Sequence, residues 1–166
     1  MSAGDEIKLG AGKSYEEVKD RRAQAASYPA LISLRVIPGP QEEYFTEQGK
    51  KTFYCETYTI SDQSDRMGYR LEGAAVESIN GTDIVSDGIP LGAIQVPASG
   101  KPIILLADRQ TTGGYAKIGT VCSFDIPKLV QAKPGDQVRF TPISAEEVKK
   151  MYEYRNSSDR SAHSLR

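Results

Sequence analysis

Between Leu105 and Tyr115 an apolar run empties into Asp108-Arg109-Gln110-Thr111-Thr112-Gly113-Gly114. The double glycine lets backbone amides come close to a bound group, and loops of this kind carry function more often than packing. Arg109 can fork onto a carboxylate with Asp108 fixing its direction, while Gln110, Thr111 and Thr112 offer both donors and acceptors. Two further stretches are too polar for the positions they occupy. Ser64-Asp65-Arg66-Met67-Gly68-Tyr69-Arg70-Leu71-Glu72-Gly73 supplies Arg66, Arg70 and Glu72, and Ser86-Asp87-Gly88-Ile89-Pro90-Leu91-Gly92-Ala93-Ile94-Gln95-Val96-Pro97 supplies Gln95. These residues could line one face that meets a small substrate or a partner domain. A second reading stays open at this point, a structural Asp108–Arg109 ion pair with a capped turn inside a barrel.

Other chemistries fail on the residues. Gly12-Lys13-Ser14 ends like a phosphate-binding loop, but Ile7 stands where the pattern needs its first glycine. None of Met1, Met67 and Met151 frames a lysine as a biotin attachment site requires. A Ser-His-Asp triad needs a buried, oriented imidazole, whereas His163 lies in a Ser-rich tail and is expected to be solvated. Cys55 and Cys122 have no companion at metal-ligand spacing, so neither a metal nor a disulfide is expected. Asn80-Gly81-Thr82 and Asn156-Ser157-Ser158 match glycosylation sequons, expected to stay bare without a secretory signal.

The chain that must position these groups has 166 residues, enough for one domain with a core. Its 21 basic and 22 acidic residues leave a net charge of -1, which provides no field to draw nucleic acid or anionic lipid. Nor does any stretch approach the roughly 18 apolar residues of a membrane span; a cytoplasmic protein is expected. Residues 1–30 read as an arm or linker, with Ser14 to Ala26 helix-compatible but lacking an apolar stripe. Strands are predicted from Leu31 to the stop Pro38-Gly39-Pro40, over 57–60 and 69–72, then densely at 93–96, 103–107, 117–122 and 137–143. Gln41 to Tyr54 suggests short helical turns interrupted at Gly49, and Asn80-Gly81 a tight turn. Asp125 should cap a short helix through Pro127, and Ser144 with Glu147 has capping-box spacing for a helix to about Tyr154, followed by a disordered tail. Many short strands with brief helices predict a mainly β protein, a closed or nearly closed barrel over 31–143.

The three polar stretches, together with Ala3-Gly4-Asp5-Glu6, Arg35-Val36-Ile37-Pro38-Gly39-Pro40-Gln41 and Pro134-Gly135-Asp136-Gln137-Val138-Arg139-Phe140, closely resemble the second half of a bacterial family. That family is the biotin-dependent carboxyltransferase-like proteins, which take in the C subunit of 5-oxoprolinase, allophanate hydrolase subunit 2 and the antagonist of a sporulation kinase inhibitor. The resemblance implies a cyclophilin-like closed β-barrel. It further implies a part in the ATP-dependent opening of 5-oxoproline to glutamate, shared with a second carboxyltransferase-like subunit and a lactam-handling subunit. ATP or biotin, where used, would sit on those partners, with no cofactor attached here, and the chain alone would be inactive. Carboxyl transfer to urea or a similar amide is the enzymatic alternative, and a protein-binding module that antagonises a kinase inhibitor is another. The resemblance takes in only the family's second half, so a site built between halves is expected to need the other half from elsewhere, and Ala74 and Ala116 stand where the family has prolines, which leaves two turns less stiff.

Overall fold

The computed structural model describes residues 29–163 together with Glu6, Gly12 and Ser14, with side chains as far as Arg155. The predicted arm, the Gly12-Lys13-Ser14 motif and the His163 side chain therefore fall largely or wholly outside the described residues.

Strand β1 (Leu31–Pro38) shows how the barrel is built. Successive side chains of a strand point to opposite faces, so Ile32, Leu34 and Val36 turn inward and are buried while Leu31 and Ser33 face out. The same alternation in β9 (Gln137–Pro142) buries Val138 and Phe140 and exposes Arg139. These two strands run parallel, in register from Leu31↔Gln137 to Val36↔Pro142. Between them in sequence come β2 (Tyr58–Ile60), β3 (Gly68–Glu72), β5 (Ala93–Gln95), β6 (Ile103–Leu105) and β8 (Lys117–Val121). The spatial order β1-β8-β5-β6-β3-β2-β9 closes on itself through the β1–β9 pair, which leaves the barrel without an exposed edge. The mainly β, closed-barrel architecture expected from the sequence is the one observed.

Helix α1 (Glu47–Cys55) plugs the barrel, with Phe53 stacked on Phe140 at 4.4 Å and Tyr58 tilted against the same ring at 5.7 Å. The predicted break at Gly49 does not occur. Thr46 caps the helix by accepting from the Gly49 N–H, and Gly49 is there because a Cβ would lie 2.2 Å from the Glu77 carbonyl oxygen. Helix α2 (Ile126–Leu129) follows Asp125, but the Asp125 carboxylate makes no cap; it is taken by Arg35 instead. In helix α3 (Ala145–His163) the capping box forms as predicted, Ser144 N–H donating to Glu147 at 2.9 Å and Glu147 N–H to Ser144 at 3.2 Å. The helix runs past the expected end at about Tyr154 to His163, and nothing in that stretch is a proline or glycine that would stop it.

One pair of strands has no counterpart in the sequence reading. β4 (Asp83–Gly88) and β7 (Thr112–Tyr115) form a separate antiparallel ribbon, so the supposed loop at 112–115 is strand. Almost all of β4 is exposed, which removes the alternation by which strands are recognised. Cys55 and Cys122 are both unpaired, and no helix of the described residues is long and apolar enough to cross a membrane.

Candidate functional site

The three polar stretches converge on one cavity of about 330 Å³, bounded by β3, β5, β6 and the ribbon. The first stretch contributes Asp65, Met67 and Arg70, the second Ile89 and Gln95, and the third Leu105, Arg109, Gln110 and Tyr115. Arg70 points outward because Leu71 beside it fills the core. Gln95 also faces away from the barrel interior, opposite Ile94, yet it is only 6% exposed because the ribbon covers it. Its Nε2 donates to the Tyr115 carbonyl at 3.4 Å, a contact that requires Gly113, where a Cβ would sit 3.0 Å from the same nitrogen and 2.7 Å from Ile89.

Arg109 is held by the main chain. Its Nε donates to the Ile89 carbonyl at 2.9 Å and its Nη1 to the Leu106 carbonyl at 3.2 Å. Both acceptors are neutral. Among the described residues no carboxylate lies within ion-pairing distance of Arg109 or of Arg70. The one carboxylate on the cavity wall, Asp65, accepts the Met67 and Gly68 N–H groups at 2.8 and 3.2 Å. The lining therefore carries two guanidinium groups against one carboxylate, with the Gln95 carboxamide between apolar walls. Such a site can take a carboxylate on the arginines and present both a donor and an acceptor to an amide.

The predicted alliance of Asp108 with Arg109 is replaced by another. Asp108 pairs with Arg66, Nε to Oδ2 at 3.0 Å, and the two side chains are 49% and 81% exposed, outside the cavity. The turn explains this: Asp108 N–H bonds to the Arg66 carbonyl and Arg109 N–H to the Leu106 carbonyl, which sends neighbouring side chains different ways. Glu72 lies outside as well, paired with Lys101. Thr111 and Thr112 belong to the ribbon and its approach: the Thr111 carbonyl takes the Ile89 N–H at 2.9 Å, and Thr112 pairs with Gly88. The structure thus brings together Arg70, Gln95, Arg109 and Gln110 and sets Arg66, Glu72, Asp108, Thr111 and Thr112 apart from them. Sequence reasoning gives no role to Asp65, Ile89 or Tyr115, although all three lie in the stretches it singles out. It also passes over Lys117, whose ammonium is buried and meets Asp87 of the ribbon at 3.0 Å. That hydrogen bond, followed by one from the Gly88 N–H, holds the Asp87 carboxyl below its ordinary range.

Residues 1–142 match the family of the carboxyltransferase domain, subdomains A and B. The chain belongs to this family. It is 32% identical over 151 residues to the C subunit of 5-oxoprolinase from Haemophilus influenzae, covering 91% of this chain and 48% of that protein. To the Escherichia coli protein of the same name it is 37% identical over 117 residues, 70% of this chain and 38% of that protein. This carboxyltransferase-domain chain therefore spans about half, or less, of the curated relatives it matches. Among solved structures, TTHA0988 is 35% identical with a TM-score of 0.61, over 73% of this chain and 23% of that one. The Kluyveromyces lactis urea amidolyase shares the fold, at a TM-score of 0.73 and 23% identity, over 81% of this chain and 9% of that one.

Proposed function

We propose that this chain works as the C-terminal half of a protein like the C subunit of 5-oxoprolinase, in the cytoplasm of a bacterium. There it joins a second carboxyltransferase-like half or subunit in the ATP-dependent hydrolysis of 5-oxoproline to glutamate. One observation carries the reading: a cavity of small-ligand size whose two arginines meet no carboxylate among the described residues and which also presents the buried Gln95 carboxamide. 5-Oxoproline is a carboxylate and a lactam on one five-membered ring, which asks for those two kinds of partner. In this reading Arg109, aimed by the Ile89 and Leu106 carbonyls, grips the carboxylate with Arg70 beside it. Gln95 faces the lactam amide, and Ile89, Ile103 and Leu105 exclude water from the ring. ATP, and biotin if used, belong to partner subunits.

Calorimetric titration of the chain, alone and with its partner subunits, should show binding of 5-oxoproline that 5-oxoprolinamide, which keeps the lactam but lacks the carboxylate, does not reproduce. Equal binding of both compounds would remove the assignment. The isolated chain should neither hydrolyse ATP nor open the lactam, and turnover by it above an Arg109→Ala control would contradict the division of labour. A second reading, carboxyl transfer to urea, draws on the fold shared with urea amidolyase. Urea carries no carboxylate for the two arginines, so competition between urea and 5-oxoproline for the cavity separates the readings.

A further inference from the structure

We infer that Lys117 is a positioning residue for the cavity, setting the direction of the Arg109 guanidinium through Asp87 and the Ile89 carbonyl. The inference rests on the reading of the cavity as a ligand site, but the geometry behind it needs no ligand.

Lys117 is among the largest fully buried side chains of the protein, with 2% of its side chain exposed. An ammonium in a barrel wall is a poor choice for stability alone, because well-packed apolar residues usually serve as well as a buried ion pair or better. What the charge adds is a directed bond to a carboxylate. That carboxylate is Asp87, at 3.0 Å, on the otherwise exposed strand β4. Its side chain is 54% exposed, so the pair fastens a surface strand to the barrel rather than burying two ions.

From Asp87 the chain of contacts is short. The other carboxylate oxygen accepts the Gly88 N–H at 2.7 Å, and Gly88 is in register with Thr112. The next N–H, of Ile89, donates to the Thr111 carbonyl at 2.9 Å. With both sides of this segment tied, the Ile89 carbonyl is fixed where it accepts Arg109 Nε at 2.9 Å. Lys117 is itself fixed from below, its backbone N–H donating to the Gln41 side chain at 3.2 Å. Its register partner is Gln95, which bonds the Tyr115 carbonyl of β7. One pair of neighbours on the barrel therefore holds both strands of the ribbon, Lys117 taking β4 and Gln95 taking β7.

The test is made on the whole ¹⁵N-labelled chain by NMR, reading the Arg109 Nε–Hε cross-peak, assigned by its loss in Arg109→Lys. In Lys117→Met the barrel amides should keep their positions while Arg109 Hε exchanges with water about tenfold faster, the loss of roughly one hydrogen bond. Lys117→Arg, which can still reach Asp87, should restore the slow exchange. A folded Lys117→Met chain with Arg109 Hε unmoved would show that the pair only holds the barrel together, and would overturn the inference. If Lys117→Met does not fold, Asp87→Ala removes the same contact from a half-exposed position, and an unmoved peak there is equally decisive against it. A wild-type chain that ignores 5-oxoproline but passes this test loses the substrate reading and keeps the positioning role. The reverse pattern loses only the latter.

Discussion

Two arginines of this molecule are fixed in place by opposite means. Arg35, on β1, is saturated: Nε and Nη2 fork onto Asp125 at 2.8 and 2.7 Å, its backbone N–H reaches the same carboxylate at 3.0 Å, and Nη1 meets the Met151 sulfur. Arg109, at the cavity, is aimed by two neutral carbonyls, and among the described residues no carboxylate comes within ion-pairing distance of it. The first arrangement completes a structure, binding β1 to the segment before α2 and to α3. On the function proposed above, the second is completed by the carboxylate of a ligand. Buried ion pairs are costly to break because the remaining charge is stranded, whereas a guanidinium on neutral acceptors can lose or gain a ligand without that penalty.

The contrast breaks most visibly at Arg35. Arg35→Ala leaves the Asp125 carboxylate, whose side chain is 1% exposed, with Lys128 as its remaining ion-pair partner among the described residues. The loss should destabilise the fold by about 3 kcal/mol. Urea titration would show it as a lower midpoint with an unchanged slope. A cost within experimental error of zero would mean that the pair is not structural after all.

Acid sharpens the same contrast. Burial alone would push the Asp125 carboxyl up, but hydrogen bonds from the Arg35 side chain and backbone and from Lys128 outweigh it and hold it at about 2. A carboxyl depressed in the folded state below an unfolded value of roughly 3.9 stabilises the fold fully above that pH. The contribution fades as pH falls from about 4 through about 2. Melting temperatures across that window should fall in the wild type and in Arg109→Ala alike, and more gently in Arg35→Ala. An acid limb unaltered by Arg35→Ala would assign it to other carboxylates.

How far each region can be read in advance follows from the same physics. The barrel is legible because Ile32, Leu34 and Val36 alternate with outward residues, and Val138 and Phe140 do so again in β9. The ribbon is not, since β4 is exposed on nearly every residue and β7 is Thr-Gly-Gly-Tyr, with little side chain to show a pattern. The polar stretches stand out by composition, and the fold brings parts of all three to one cavity. The pairing within them is not legible. Asp108 stands next to Arg109 in sequence and is expected to steer it, but a turn separates their side chains, and the true acceptors are carbonyls that every residue possesses. A buried lysine such as Lys117 is equally silent, because nothing in a strand pattern says which way an ammonium points.

Arg109→Ala tests the other half of the comparison. The chain should melt near the wild type, while affinity for 5-oxoproline, or turnover of the reconstituted complex, falls by about 2 kcal/mol, roughly thirtyfold. Arg109→Lys should recover little, since an ammonium cannot reproduce a fork pinned at two points. Full recovery by lysine would show that charge alone matters and that the two carbonyls do not aim it.

The smallest effect is expected at a third arginine, which the sequence places with the others. Arg66 and Asp108 form an ion pair at 3.0 Å, with side chains 81% and 49% exposed, and neither lines the cavity. A pair so open to solvent gains little Coulomb energy and orders two long side chains to obtain it, so Arg66→Ala should cost about 0 to 1 kcal/mol of stability. What remains should shrink further in high salt, which screens exposed charges within a few ångströms. Binding of 5-oxoproline should be unchanged, because removing Arg66 alters neither the Ile89 nor the Leu106 carbonyl that holds Arg109. The informative result is a split one. If Arg66→Ala left 5-oxoproline binding intact but weakened assembly with the partner tenfold, the exposed pair would mark the partner's docking face beside the cavity. If it weakened 5-oxoproline binding itself, the boundary between a ligand-gripping arginine and a surface one would have to move outward to include it.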